Sequence, residues 1–462
     1  MTSTAPAESD ITARHPEAQR RILTVLVVSQ VLSGAGLAAG ITVGALLAQD
    51  MLGSTGLAGL PSALFTAGSA LAAVGVGRVS QARGRRPGLA AGYLTGAVGA
   101  AAVIVAAVAD SPVLLFLALF VYGAGTATNL QARYAGADLA APAHRARAVS
   151  TVLVATTLGG VVGPNLASPT SDLAHALGMP RLAGPFLLAG VAYALAATVL
   201  AVWLRPDPLL LARTLDDRGQ QQATVAARQV EAAEAVGSAG AAQAAEAGQD
   251  PPPLPPATPS PTAAPTPAAA PAPPAGAERR RPTVVLGALI MIVTQLVMVA
   301  IMTMTPVHMH DHGHTTAASG FVIAVHVGAM YLPSPLTGWF VDRYGPVAVA
   351  AASGVTLLAA GLLAAAAPGD SVAPLALALA LLGLGWNLGL VSGTAIITDA
   401  VPLATRARTQ GLVDVSIAVA GTTGGLTSGA VVAAASYPAL ALTGGVLALS
   451  VLPSIAATAS RR

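Results

Sequence analysis

The sequence predicts an all-α integral membrane protein with 12 transmembrane helices, arranged as two parallel six-helix repeats. Only 9% of its residues are charged and its mean hydropathy is +0.69, whereas a soluble domain carries about 25% charged residues. The 49 glycines suit helices that pack closely in lipid, where small residues make the contacts. The chain has no cysteine, which excludes disulfides, thiolate metal sites and cysteine nucleophiles.

Twelve apolar runs are long enough to cross a bilayer, which takes about 20 residues of helix. They divide into an N-terminal six-helix bundle over 21–204 and a C-terminal six-helix bundle over 283–457, with tails over 1–20 and 458–462. The predicted spans are 21–48, 56–79, 87–109, 112–135, 148–170, 182–204, 283–307, 316–341, 347–367, 373–398, 409–434 and 438–457.

The linker between the bundles, 205–282, has a different composition from the spans. Its first part, 220–247, is rich in Ala, Gln and Glu and predicts a marginal helix. Its second part, 251–274, is a proline–alanine repeat, which is typical of an extended or disordered tether. We assign the linker no chemistry.

Arginine placement orients the spans, because cytoplasmic loops carry an excess of Arg and Lys. All 23 basic residues are arginine. With the N-terminus inside, the loops on the opposite side contain only Arg181. We therefore predict a multi-pass protein of a bacterial-type plasma membrane, surrounded by the lipid bilayer, with both termini in the cytoplasm.

The two halves repeat each other in sequence. One offset of 261 residues relates two loops that lie far apart along the chain, and helical halves with the same orientation indicate parallel repeats about an axis along the membrane normal. The matching positions are Gly77 and Gly84 with Gly338 and Gly345, and Asp138, Arg145 and Arg147 with Asp399, Arg406 and Arg408.

The repeated loop resembles the signature of the major facilitator superfamily, Gly-x-x-x-Asp-Arg-x-Gly-Arg-Arg. The N-terminal half keeps Gly77, Gly84, Arg85 and Arg86 but has Gln81 and Ala82 at the Asp-Arg positions. The resemblance covers the chain outside the linker and the N-terminal tail, and it implies a secondary transporter with alternating access about a midplane site. The C-terminal half keeps the core of the signature, which we predict to be a conformational-switch loop: Gly338, Asp342, Arg343 and Gly345.

Methionine and histidine are concentrated in one predicted helical hairpin. Six of the nine methionines and five of the eight histidines fall between residues 291 and 330. Thioether and imidazole groups suit copper, and imidazole also accepts other divalent metals. Met298 and Met302 are four residues apart on the seventh predicted helix, as are His326 and Met330 on the eighth, so each pair shares a helix face.

These two pairs also resemble the copper-importing branch of the same superfamily, in which the four positions are metal ligands. The resemblance therefore implies a metal-ion substrate site at Met298, Met302, His326 and Met330. Two other interpretations stay open: the methionines pack, or His326 only joins neighbouring helices by a hydrogen bond.

Four more histidines alternate in the loop that follows the seventh helix. Pro306 interrupts helical hydrogen bonding, and the alternation predicts an extended segment facing outside, next to Asp311. A capture site for a copper or divalent ion, a pH sensor and a weak surface chelator are all compatible with this pattern. The residues of this predicted outer capture loop are His308, His310, His312 and His314.

Asp414 lies well inside a predicted span and is a candidate coupling residue that carries a proton. The alternative is that it is solvated near the interface, or belongs to a network with Arg406 and Arg408. Polar residues at the inner end of the fourth helix either line the cavity or join helices by hydrogen bonds: Asn129, Gln131, Arg133 and Tyr134.

The chain contains no lysine, so it has no Walker loop for ATP-driven pumping, and we expect neither an enzyme nor a cofactor. Its net charge of +3 comes from arginines predicted to be cytoplasmic, so it does not indicate nucleic-acid binding. We expect a monomer with a small-molecule or metal-ion substrate. The first hypothesis is inward transport of a soft metal ion such as copper. The alternatives are a proton-coupled exporter of small organic molecules or drugs, and a membrane metal or pH sensor that does not transport.

Overall fold

A computed structural model describes residues 6–52, 60–246 and 276–459, and this part of the chain is helical without β-strands. Two short 3₁₀ turns, Pro142–His144 and Arg181–Ala183, join α-helices. The α-helices are α1 (Pro6–Leu52), α2 (Leu60–Arg83), α3 (Arg85–Val108), α4 (Pro112–Ala137), α5 (Arg145–Ala176), α6 (Gly184–Trp203), α7 (Pro208–Glu246), α8 (Gly276–Asp311), α9 (Thr316–Tyr331), α10 (Ser334–Tyr344), α11 (Pro346–Ala366), α12 (Val372–Ala400), α13 (Arg406–Ala434), α14 (Tyr437–Ala448) and α15 (Val451–Ala459).

The described residues contain 10 segments long and apolar enough to cross a membrane. Helices α1 and α5 contain the two other predicted spans, 21–48 and 148–170, and α1 also extends through most of the predicted N-terminal tail. Two predicted spans are each built from two helices, α9 with α10 and α14 with α15. Both breaks lie next to a proline, Pro333 and Pro453, which has no N–H to donate to the preceding turn.

The helix predicted in the linker over 220–247 begins earlier in the structure. Helix α7 spans 39 residues, from Pro208 to Glu246, because alanine, glutamine, glutamate and arginine all favour helix. Helix α8 begins at Gly276, inside the predicted linker. The proline–alanine repeat predicted over 251–274 lies outside the described residues.

Each half has its own apolar core, and the two cores meet along paired helices. The N-terminal core extends from Ile22 to Ala212. The C-terminal core also takes in side chains of the N-terminal half, among them Ala146 and Val149 of α5. The two halves pack most extensively through α2 against α13 and through α5 against α10. These helix pairs therefore form the interface across which any relative motion of the halves takes place.

The turns that follow α2 and α10 are built alike. Gly84 has a φ of 99° and Gly345 a φ of 86°, and the two glycines occupy equivalent positions of the sequence repeat. A side chain at this φ is strained, so glycine is the residue that permits the turn. The role of Gly345 in the predicted switch loop is thus to let α11 begin directly after α10.

Candidate functional site

Asp342 at the end of α10 caps a helix of the opposite half. Its carboxylate accepts hydrogen bonds from the backbone N–H groups of Ala146, at 3.0 Å, and Arg147, at 3.2 Å. These residues begin α5, and the first N–H groups of a helix have no partner within the helix. A negative charge is also favourable at this end of the helix dipole. Asp342 thereby joins the C-terminal half to the N-terminal half.

Gln81 makes the equivalent contact on the other side of the repeat axis. Its Oε1 accepts from the N–H groups of Ala407, at 2.8 Å, and Arg408, at 3.3 Å, where α13 begins. Its Nε2 donates to the carbonyl of Ala404 at 2.6 Å. Gln81 is the N-terminal counterpart of Asp342, so this departure from the family signature keeps the cap and loses only its charge. We call the two caps together the gate contacts.

Two ion pairs, also related by the repeat, join the halves beside the gate contacts. Arg145 of α5 pairs with Asp399 of α12. Its counterpart Arg406 lies 3.9 Å from Asp138, whose other partner is the Nε of Arg85 at 2.7 Å. The sequence repeat identified these arginines and aspartates as equivalent, but it did not predict that each pair crosses between the halves.

Asp414 is buried, 4% exposed, and lies against α4 of the other half. Its Oδ1 accepts from the Nη2 of Arg133 at 2.8 Å and from the hydroxyl of Tyr134 at 3.3 Å. The Nε of Arg133 also donates to Thr394 at 3.1 Å. The second carboxylate oxygen, Oδ2, has no hydrogen-bond partner among the described residues. Asp414 is therefore neither solvated nor joined to Arg406 and Arg408, as one alternative had it, but forms a buried ion pair across the interface.

Glycines allow the helix pairs at the interface to come into backbone contact. A Cβ on Gly77 of α2 would lie 2.9 Å from the carbonyl oxygen of Ala407 and 3.1 Å from the Cα of Gly411. On the other side, a Cβ on Gly338 would lie 2.5 Å from the hydroxyl of Ser150. The close approach of the halves therefore depends on the first glycine of each signature loop.

The linker helix α7 also reaches the gate contacts. The Nη2 of Arg213 donates to the carbonyl of Gln81 at 2.9 Å and to that of Leu403 at 3.4 Å. Asp207, just before α7, accepts from the backbone N–H of Arg86 at 2.7 Å. The first turns of the linker thus contact both halves, a role that its composition did not indicate.

The predicted substrate residues lie on two helices that both pack against α12. His326 of α9 is fully buried, and its Nδ1 lies 2.8 Å from the carbonyl oxygen of Leu379. Its Nε2 has no hydrogen-bond partner among the described residues. Met330 is 8% exposed and Met298 4% exposed, while Met302 is half-buried. Helices α8, which carries the methionine pair, and α9, which carries the histidine–methionine pair, each pack against α12.

The prediction that the outer histidines form an extended segment is wrong. Helix α8 continues through Pro306 to Asp311, so His308 and His310 are helical. A proline is tolerated in a membrane helix where neighbouring groups satisfy the freed backbone. The carbonyl that Pro306 leaves without a helical donor is that of Met302. In the turn before the proline, the hydroxyl of Thr305 donates to the carbonyl of Ile301 at 2.8 Å and lies 2.9 Å from the hydroxyl of Tyr437 on α14.

The outer histidines contact one another and two neighbouring elements. The ring of His308 stacks on Tyr437 of α14 and also lies next to His312, with 4.3 Å between ring centroids in each case. The Nε2 of His314 lies 2.8 Å from the carbonyl oxygen of Gly369. Within the described residues no three His, Asp or Glu side chains are placed to hold a metal ion. The histidines alone therefore do not form a metal centre in this arrangement.

Comparison with known proteins places the chain among membrane transporters. The family model described as Major Facilitator Superfamily matches residues 26–333 and 287–460. An uncharacterized MFS-type transporter of Bacillus subtilis, YdeG, is 50% identical over 98% of this chain and 95% of its own length. The riboflavin transporter RfnT of Brucella anthropi is 28% identical over 86% of this chain and 85% of its own length.

A solved structure has the same fold. The human organic anion transporter MFSD10 superposes with a TM-score of 0.68 at 16% sequence identity, over 95% of this chain and 99% of the other. The chain therefore belongs to the major facilitator superfamily and is a multi-pass membrane transporter, not an enzyme.

Proposed function

We propose that the chain is a secondary transporter that works by alternating access, with its gate closed on the predicted cytoplasmic side. The observation that supports this most directly is the pair of gate contacts made by Asp342 and Gln81. Each cap and each ion pair joins residues of different halves, at helix ends that the arginine distribution predicts to be cytoplasmic. Opening this side requires these contacts to separate, and alternating access supplies such a motion.

The absence of natural cysteine allows this proposal to be tested without knowing the substrate. Ala82 in α2 and Ala404 before α13 are exposed and belong to different halves. We expect spin labels at Ala82→Cys and Ala404→Cys to give two distance populations in lipid nanodiscs, the shorter one matching this structure. A single short population at every pH and lipid composition would contradict alternating access.

We further propose that protonation of Asp414 couples transport to the proton gradient. Neutralising the carboxylate removes the ionic partner of Arg133, and the free Oδ2 is the atom that would take the proton. An ion pair buried between two moving halves is stable only while both charges are present. Binding or release of a proton at the Asp414 carboxylate therefore changes the relative stability of the closed and open states of the gate.

For the cargo, we propose a soft metal ion such as copper, held by Met298, Met302, His326 and Met330. Support comes from His326, whose Nδ1 is placed to donate to a backbone carbonyl. This hydrogen bond would leave the Nε2 lone pair free, which is the tautomer that a metal-binding histidine needs. The outer pair of His308, at the end of α8, and His312, in the turn that follows, would collect the ion first, since the two rings lie side by side.

Copper accumulation in a cell expressing the protein tests this cargo. We expect Met298→Leu, which keeps side-chain volume, and His326→Asn, which keeps a donor for Leu379, to reduce uptake at least about tenfold. The matched control Met291→Leu changes another buried methionine of α8 and should leave uptake unchanged. Unaltered uptake in Met298→Leu and His326→Asn would exclude this site.

The second candidate cargo is a small organic molecule moved by the same gate. It is favoured by the polar and aromatic group at α12, where the indole N–H of Trp386 donates to Gln295 at 2.7 Å and Tyr331 packs edge-on. The similarity to a riboflavin transporter points the same way. If Trp386→Phe alters riboflavin movement while copper uptake is unchanged in every variant, the organic cargo is the correct one. The sensor hypothesis is not carried further, because the similar proteins are transporters.

A further inference from the structure

A groove of about 380 Å³ runs between the start of α8 and the end of α15, outside the gate and the proposed substrate site. One wall is apolar and consists of Val285, Leu286 and Leu289 of α8. Ser454 and Thr458 of α15 form the other wall. The groove therefore has one apolar wall and one wall that carries two hydroxyl groups.

The polar end of the groove lies where two spanning helices leave the apolar layer. Arg281 begins one candidate span and Thr458 ends another. Val285, one turn from Arg281, is 64% exposed and faces outward from the protein. A lipid is the molecule that meets such a surface, with its acyl chain beside the leucines and its head group beside the arginine.

The charge at this end of the groove favours an anionic head group. Arg281 is exposed and lines the groove, and a guanidinium binds phosphate oxygens through paired N–H donors. In the sequence Arg279 and Arg280 come directly before it, and Arg461 and Arg462 follow Thr458 closely. Clusters of arginine on the cytoplasmic side of a span attract anionic lipids of that leaflet.

The two hydroxyl groups narrow the choice of head group. Ser454 donates its proton to the carbonyl of Ser450 at 2.7 Å, and Thr458 donates to that of Ser454 at 2.8 Å. With their protons used inside the helix, both oxygens remain acceptors only. A head group with hydroxyl donors complements them, as glycerol does.

We propose that this groove is a binding site for phosphatidylglycerol of the cytoplasmic leaflet. Arg281 binds the phosphate, Ser454 and Thr458 accept from the glycerol hydroxyls, and Val285 and Leu289 contact an acyl chain. The site joins the first helix of the C-terminal half to its last one. This proposal depends neither on the identity of the cargo nor on the gate contacts.

Native mass spectrometry of the full-length protein, purified with equal amounts of phosphatidylglycerol and phosphatidylcholine, tests the proposal. We expect one phosphatidylglycerol to be retained most tightly. Arg281→Gln should weaken its retention about fivefold, as expected for one arginine near a membrane surface. Leu289→Trp, which fills the groove without changing charge, should weaken it as well.

The matched control is Arg78→Gln, which removes an exposed arginine near the predicted cytoplasmic end of α2. It should leave retention unchanged. The proposal is overturned if Arg78→Gln weakens retention as much as Arg281→Gln, since the attraction would then be diffuse. It is also overturned if Leu289→Trp has no effect, or if phosphatidylcholine is retained equally well.

Discussion

Asp414→Asn is expected to shift the transporter strongly toward the state in which the predicted cytoplasmic gate is open. The change leaves Arg133 buried and unpaired in the closed state, where it has 0% side-chain exposure. Removing one partner of a buried ion pair costs about 3–5 kcal/mol, which changes the closed-to-open ratio by a factor of more than about 100. The spin-label pair at Ala82 and Ala404 measures this ratio directly.

Two further variants separate the ion pair from general damage. The double variant Arg133→Gln/Asp414→Asn removes both charges and should recover much of the closed population, because no uncompensated charge remains. As a control, Asp172→Asn breaks the ion pair with Arg181, whose side chains are 59% and 61% exposed. An exposed pair contributes little, so this control should leave the gate ratio unchanged. If the double variant opens the gate as far as the single one, the ion pair is not what holds it.

The same carboxylate should make gate opening respond to pH. Protonation neutralises Asp414 and removes its attraction to Arg133, so lowering the pH should increase the open population of the wild type. The groups around the carboxylate are Arg133 and Tyr134 on α4 and Arg85 on α3. In Asp414→Asn the pH response should be lost, because the asparagine does not titrate. A pH response of equal size in this variant would assign the coupling to another group.

Gly77→Leu is expected to prevent closure of the gate. Even a Cβ at this position would lie 2.9 Å from the carbonyl oxygen of Ala407, which is backbone and cannot rotate away. A leucine therefore forces α2 and α13 apart. The short-distance population of the Ala82–Ala404 label pair should disappear, and transport should stop because one of the two states is no longer reached.

The control for this variant lies on the same helix. Gly75→Leu makes the same change of residue type, but nothing lies within 4 Å of a Cβ at Gly75. Both substitutions raise helix propensity by about 1 kcal/mol, so a difference between them reports the contact alone. Gly338→Leu, at the equivalent position of the other half, should also open the gate. An unchanged short population in Gly77→Leu would mean that the glycine contact does not limit closure.

The repeat and the helices can be predicted from the sequence, because runs of apolar residues and a fixed sequence offset are visible in the chain itself. Apolar length predicts a span wherever it occurs, and among the described residues, which exclude 56–59, the predicted spans correspond to helices or pairs of helices. The 261-residue offset also relates residues that are in contact. Arg133 and Thr394 are separated by this offset, and they are hydrogen bonded to each other. The same offset relates Gln81 to Asp342, which the signature already placed at equivalent positions, and the structure shows that both cap a helix of the opposite half.

The local signals failed where the environment decides the conformation. Pro306 predicts an end to helical structure, but α8 continues to Asp311 and packs there against α14, where Thr305 lies 2.9 Å from the hydroxyl of Tyr437. The composition of the 205–282 linker predicts only a tether, whereas Arg213 contacts carbonyl groups of both halves. The contact of Thr305 with Tyr437 and the contacts of Arg213 join residues far apart in the sequence, so local composition does not indicate them.

The sequence by itself determined that this protein is a helical membrane protein of two like halves, because hydrophobicity and repetition are properties of the chain. Only the tertiary structure decided which charges meet. Arg133 and Asp414 are 281 residues apart, and many other pairings of the buried arginines and aspartates satisfy the same composition. Packing of α4 against α13 selects this pair. A buried charge is costly unless an opposite charge lies within contact distance, and the packing of these two helices brings Asp414 within that distance of Arg133.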